Sequence, residues 1–534
     1  MPRSYCALVL SLLMLALSFP LPVEAQVCEP ASPQINLQYL RRLRIDLTGK
    51  LPTVEEAMQV VKHGEVPESL IDKMLNSDDF VSEMRRMHKD LLWANLSVLP
   101  FGRTWQLNSG NGSSSPLYSR DRGERYRGVR SAGCLNEPAL IKDGVIQTKC
   151  KEVEDRGVKR RLCQEGWVMV KPYWSPDTRV KVCAFDAQKL HIVKLQNGKT
   201  YDCSRGNGNK ACGCGPELRW CQSVHHKTRE TITQSLLQQY LNFTTHTIKS
   251  NRPYTAILTA REMKLNGPIT FFLKHQTYTL DNGMYRADPG LQLPNLSFLQ
   301  KDQWVPIQRN SLHAGLMTLP VYLIKFASNR SRANRFFNAF LCKEFQSPPG
   351  GLPPGQDTCH NEPNLMKRCG CKYCHQTLEP AASYWGRWKE NGAVMLSIKQ
   401  YPAFRPNCAK HENRNNSLCR SNYLTRNIYG HERYRGYLKA YLFATPQMKV
   451  NIESGPIGLA RSAISDGSFA SCTVKNIWKW FVGRSSINQS RIEDYGKMFQ
   501  SQKYNLKALM KVIVTSDAYK RGRLSKQSLQ GTSK

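Results

Sequence analysis

Cys371-Lys372-Tyr373-Cys374-His375 sets two thiols three positions apart and an imidazole directly after the second. Each thiol can add to a vinyl group and close a thioether, while the adjacent imidazole can ligate iron from one face. That combination is the attachment signature of a c-type haem. Cys371 and Cys374 are therefore read as the points of covalent attachment. His375 is read as the proximal iron ligand, acting through a neutral ring nitrogen. Its other nitrogen should be held by an acceptor. The sixth iron position decides the chemistry. A methionine there raises the potential and makes an electron-transfer centre, whereas an open position binds small ligands or peroxide. Met395, twenty residues after His375 and beyond an aromatic stretch, is the first distal candidate, with Met366, Met317 and His313 as alternatives. Each of the four also reads as a packing or surface residue. Tyr373, Tyr384, Trp385 and Trp388 are expected against the porphyrin or in the core. A competing account makes Cys359, His360, Cys369, Cys371, Cys374 and His375 a disulfide knot or a zinc site. Pairing of Cys359 with Cys369 would leave the haem cysteines available.

Such chemistry needs an oxidising compartment, and the N-terminus supplies the address. Arg3 precedes an apolar run from Ala7 to Phe19, and Val23-Glu24-Ala25 places small residues where a signal peptidase reads them. Cleavage near Ala25 and export to the periplasm or cell surface are expected. The run is short for a membrane span, and no later stretch reads as a membrane helix. The 18 cysteines agree with export. Cys6 leaves with the signal. Once Cys371 and Cys374 are assigned to haem, an odd number remains, so at least one further thiol must stay outside the disulfides. Cys212, Cys214 and Cys221, with His225 and His226, read as disulfides, a metal site or a haem-contacting loop.

The elements that would position the motif read as mainly α and multidomain, with a disulfide-rich β insert and a cytochrome-c-like haem segment. Expected divisions are a signal peptide (1–25), an N-terminal helical domain (26–130) and a cysteine-rich β insert (131–226). A helical domain (227–345), a haem-attachment segment (346–400), a C-terminal helical domain (401–520) and a basic, disordered tail (521–534) follow. Helices are expected over 37–47, from a Thr53/Glu56 capping box, and over 69–74, 79–96, 228–248, 319–345, 471–482 and 504–516. Phe80, Met84, Met87, Leu91 and Leu92 should face the core. Asn108 to Ser115, rich in Ser, Gly and Asn, reads as a loop near a domain boundary. Short strands are expected at 145–148, 167–171, 179–184 and 191–195. The Pro- and Gly-rich stretch from Ser347 to Gln356 excludes regular structure ahead of the motif. Cys408 and Cys419 are spaced to close a loop.

Lys and Arg number 76 against 41 Asp and Glu, a formal charge of +35. The excess is spread over runs such as Arg120 to Arg130, Lys159 to Arg161, Arg330 to Arg335 and Arg433 to Arg435. It reads as a solvated surface or as attraction to an anionic partner: an acidic redox protein, an anionic envelope surface or an acidic glycan. No nucleic-acid motif accompanies it, so specific nucleic-acid binding is not expected.

Several segments in order resemble a family of exported planctomycete-type cytochrome c proteins, multidomain chains built from domains of unknown function with one c-type haem motif. Arg41-Arg42-Leu43-Arg44-Ile45-Asp46-Leu47-Thr48-Gly49 with Leu51-Pro52-Thr53 resembles the opening motif. Asn251-Arg252-Pro253-Tyr254, with Leu258-Thr259-Ala260 and Asn266-Gly267-Pro268, resembles the middle one. Ala314 to Pro320 and Leu341-Cys342 resemble the segment before the haem. Cys371 to His375 with Leu378-Glu379-Pro380 resembles the haem string, and Phe469 to Trp478 with Val482-Gly483-Arg484 the closing domain. The β-rich cysteine insert departs from that pattern. The resemblance implies haem c, export and this architecture. The expected function is an exported carrier of one covalent haem that exchanges electrons with a redox partner protein or an extracellular acceptor. The alternatives are a haem-dependent peroxidase or oxidase, and a disulfide-stapled envelope or acidic-glycan binding protein without haem.

Overall fold

The computed structural model describes residues 33–96, 105–109, 125–128, 133–173, 178–190, 192–194, 197–203, 211–222, 226–278, 291–345, 358–426, 432–483 and 487–521. The signal peptide, Cys28, His225, the Pro/Gly stretch before the motif and the basic tail after Arg521 lie outside these residues. So do the side chain of His226 and most of the Arg120 to Arg130 run. About half of the described residues are helical, and the described strands form small sheets.

The opening helix, Pro33–Thr48, buries Leu40, Leu43 and Leu47, three or four positions apart, against the core. Thr53 then starts the helix Val54–His63. Its hydroxyl accepts the Glu56 N–H at 3.3 Å, and the Glu56 carboxylate accepts the Thr53 N–H at 3.1 Å, completing the expected capping box. Helices Glu68–Leu75 and Asp78–Leu91 follow. Phe80, Met84, Met87 and Leu92 are buried as expected. The last helix stops short of 96 because Leu92 caps it and Trp93 turns into the left-handed region at φ 49°.

The two ends of the described chain pack together. Arg42 donates to the carbonyls of Phe481, at 2.8 Å, and Tyr519, and its guanidinium lies 3.9 Å from the centre of the Tyr519 ring. Tyr519 in turn donates to Asp46 at 2.9 Å. His88 and Tyr254 join the opening helices to the middle of the chain. Tyr254 stacks on Phe469 of the closing helix Ser468–Phe481, with ring centres 5.8 Å apart. One apolar core thus draws on the opening, middle and closing segments.

Between them lies the cysteine-rich β region. Strands at Val145–Ile146, Trp167–Val170, Val180–Cys183 and Ile192–Lys194 fall where Val and Ile runs place them. A four-stranded sheet orders Asn108–Ser109, Arg125–Arg127, Val180–Cys183 and Trp167–Val170. The first two residues of the expected loop at 108–115 are thus drawn into a strand by pairing with Arg125–Arg127; the rest of that loop lies outside the described residues. Arg127 is buried beneath the sheet with Glu165 and Asp186 at 2.7 and 2.9 Å, a charge cluster that replaces water with fixed partners. The exposed ribbon Lys149–Asp155 and Val158–Gln164 was not expected, since charged side chains on both faces hide its period. It is pinned by a Cys150–Cys163 bridge between directly paired residues.

The helix expected over 319–345 is broken into Pro320–Lys325, Asn329–Phe336 and a wider π turn, Phe337–Leu341. The break is held by Arg332, which is fully buried. Its guanidinium donates to the carbonyls of Leu323, Phe326, Lys389 and Gly392. Arg335 is also buried, with its guanidinium 4.4 Å from the Trp93 ring centre. Of the three arginines in the run Arg330 to Arg335, only Arg330 reaches solvent.

Disulfides pair Cys134–Cys183, Cys150–Cys163, Cys203–Cys212, Cys214–Cys221, Cys342–Cys472, Cys359–Cys369 and Cys408–Cys419. Cys212, Cys214 and Cys221 are thereby committed to bridges. Seven disulfides fit an extracellular or periplasmic protein. Among the described residues, no helix is long and apolar enough to cross a membrane.

Candidate functional site

Among the described cysteines, only Cys371 and Cys374 stand outside the disulfides. The Cys359–Cys369 bridge ends two residues before Cys371. Gly370, at φ 71°, then turns the chain through a conformation that a side chain would oppose. Cys371 is the N-cap of the helix Lys372–Ser383, and its carbonyl accepts the N–H of His375 at 3.0 Å. Positions three and four apart share one helix face, so Cys371, Cys374 and His375 fall on one side of the first turn. Both thiols and the imidazole are partly buried.

The helix is anchored along its length. It packs on Asn329–Phe336 and on Pro446–Ser465, with Ala381 and Ala382 buried. Pro380 lies inside it and supplies no N–H to the turn above. The Pro380 carbonyl accepts from Ser383 Oγ at 2.6 Å and from Asn451 Nδ2 at 3.0 Å. Cys342–Cys472 ties the stretch of chain leading toward the motif to the closing helix.

One turn beyond His375, Glu379 brings an oxygen to 2.5 Å from its Nδ1. A carboxylate only accepts, so Nδ1 carries the proton, and in the neutral ring Nε2 keeps the lone pair that a metal needs. Glu379 is held in turn by Arg330, at 2.5 Å to one oxygen and 3.3 Å to the other. Burial works against the Arg330 charge, but its bond to Glu379 and the fields of Glu379 and Glu390 prevail and raise its pKa. The result is a fixed chain, Arg330–Glu379–His375, that orients the imidazole. Glu379 appeared in the sequence only as part of a motif; its i+4 spacing from His375 was the available signal.

These residues fit a c-type haem: a matched thiol pair, a basic imidazole nitrogen and an acceptor behind it. Bound there, a haem supplies a one-electron iron couple. Cys371 and Cys374 would hold it covalently and His375 would ligate its iron.

The distal candidates are placed differently. Met395 is buried in the main core, and its sulfur accepts from Asn310 Nδ2 at 3.4 Å. Ligation of iron by that sulfur would first have to displace Asn310. Met317 is fully buried, and its carbonyl accepts the Trp385 indole N–H. His313 is buried edge-on to Trp388 with Nδ1 facing Arg309. Trp385 lies just past the C-terminal end of the motif helix, about 15 Å along the axis from His375 at 1.5 Å per residue. Met366 instead lines a cleft of about 710 Å³ whose wall includes Glu379. Tyr373 is exposed, Tyr384 is half-buried, and Trp385 and Trp388 are core residues. Among the described residues, no group of three His, Cys, Asp or Glu side chains gathers as a metal site.

Residues 22–97 match a family described as PSCyt2, protein of unknown function (DUF1549). The matched region contains the four opening helices and does not extend to the motif helix. No curated protein and no solved structure matches the chain.

Proposed function

We propose that this chain is an exported c-type cytochrome. It holds one haem through thioethers at Cys371 and Cys374, with His375 on the iron, and moves electrons in the periplasm or at the cell surface. The observation that carries the reading is selective sparing of two thiols. Among the described cysteines fourteen pair in seven bridges, and the two left out are those followed by an imidazole whose Nδ1 faces Glu379. The basic surface would steer an acidic partner protein to the chain and make electron exchange sensitive to salt. The test is an absorbance spectrum of chain made in a strain competent for cytochrome maturation. Sharp reduced bands that survive acid extraction support the reading, and a colourless product ends it.

A second reading, a haem-dependent peroxidase or oxidase, draws on one observation. An anionic acceptor on Nδ1 makes the imidazole a stronger donor to iron than a neutral acceptor does. Binding of cyanide or carbon monoxide by the native protein would favour that reading over the electron carrier.

A further inference from the structure

Trp93 is 60 % exposed and stands at φ 49°, a left-handed conformation that a bulky side chain opposes. It closes the helix Asp78–Leu91. The Ala94 N–H donates to the Lys89 carbonyl at 3.1 Å and the Trp93 N–H to the Asp90 carbonyl at 3.3 Å. In such a closure glycine usually holds the place that Trp93 takes here. An indole there eases no backbone and fills no core. Its ring is fixed all the same, because the buried Arg335 guanidinium lies 4.4 Å from its centre. With one face covered, exposure this large leaves the other face to solvent.

The ring borders an open depression of about 530 Å³, between this helix end and the end of the helix Pro320–Lys325. Lys89, Asp90, Ala94, Asn95 and Lys325 complete the lining. The apolar surface is thus one flat platform with a polar rim. A planar hydrocarbon would bury a single face there and meet charged groups with its edges. A sugar ring suits the same arrangement, because its C–H face packs on an indole while its hydroxyls meet carboxylate, amide and ammonium groups. The lysines select an acid. Among the described residues neither makes an ion pair, and Asp90 has closed none with them. Arg335, beneath the ring, likewise has no carboxylate partner. Three unpaired cations stand against one carboxylate. The carbonyls at the helix end do little to offset them, because the closing turn uses those of Lys89 and Asp90.

We propose that the depression over Trp93 binds an acidic saccharide, a hexuronate ring stacking on the indole with its carboxylate toward Lys89 and Lys325. The proposal does not depend on haem. It is tested by calorimetric titration of the mature chain with tri-galacturonate, at physiological salt so that the general positive charge is screened. Saturable binding at one site is expected. The fully methyl-esterified trimer, which keeps the rings and loses the charge, should bind roughly fivefold more weakly. Trp93→Gly, which suits the left-handed backbone, should weaken the acid by about tenfold. Lys89→Gln and Lys325→Gln keep the test open should the glycine variant not fold. Each should weaken the acid roughly two- to fivefold and leave the ester unchanged. Absence of saturable binding at millimolar trimer, an ester bound as tightly as the acid, or unchanged affinity in a folded Trp93→Gly chain or in both lysine variants overturns the proposal. Tri-glutamate bound as tightly as the uronate trimer would reduce the site to charge alone and overturn it too.

Discussion

Glu379→Gln keeps the shape of the acceptor behind His375 and removes its charge. The Nδ1–H would still donate, now to an amide oxygen. A hydrogen bond to a charged group contributes about 1.5–3 kcal/mol and one to a neutral group about 0.5–1.5 kcal/mol, a difference on the order of 1 kcal/mol. The contact is short and both side chains are mostly enclosed, at 19 % and 17 % exposure, so solvent screens little of it. With the proposed haem in place, the anion would favour the more positively charged iron. If the whole difference appears in the ferric form, the potential rises by about 40 mV, at about 59 mV per tenfold for one electron. Arg330→Ala acts the other way. It removes the cation that competes for Glu379, but Arg330 is about half exposed and its pull is partly screened, so a fall of roughly 10–20 mV is expected. Spectroelectrochemical titration of the two variants and the parent measures both signs. A potential unchanged or lowered in Glu379→Gln, with the haem spectrum intact, would refute the role given to this carboxylate.

Other outcomes follow from the packing. Replacing Cys342 and Cys472 by serine opens a loop spanning 130 residues and should lower stability by about 2–5 kcal/mol in denaturant titration, with the motif helix still formed. Met395→Leu should cost less than about 1.5 kcal/mol and leave the haem absorption unchanged; an altered spectrum would make Met395 an iron ligand. His88 is buried between the Met84 carbonyl and the Tyr254 hydroxyl, and burial holds its pKa down to about 4, against 6.5 ordinarily. Below pH 6.5 the unfolded chain takes a proton that the folded chain refuses. Stability is therefore complete above pH 6.5 and lost as pH falls toward 4, by roughly 3 kcal/mol in total. His88→Gln should flatten that limb in urea midpoints measured from pH 7 to 4.5, and an equal slope would discount the assignment.

What was legible in the sequence is what local chemistry decides. Thr53 and Glu56 announce a helix start because both halves of the cap lie within four residues. The Val and Ile runs at 167–171 and 179–184 become neighbouring strands because their β-branched residues fit a half-buried sheet. The motif itself needs only spacing. Long-range partners were not legible. Nothing local tells that Arg332 will be sealed under four carbonyls while Arg330, two residues away, reaches Glu379. The charged ribbon at 149–164 has no apolar face to betray its pairing, and Met395 carries no mark of its tie to Asn310. His88 and Trp388 likewise look ordinary until the residues that bury them are in place.

The most direct measurement is mass spectrometry of the proteolytic fragment containing residues 371–375, taken without reduction from chain matured in a haem-attaching host. One haem is expected on that fragment, held by both sulfurs, with Cys374→Ala reducing the attachment to a single thioether. A fragment carrying a Cys371–Cys374 bridge, or two unmodified thiols, would contradict it.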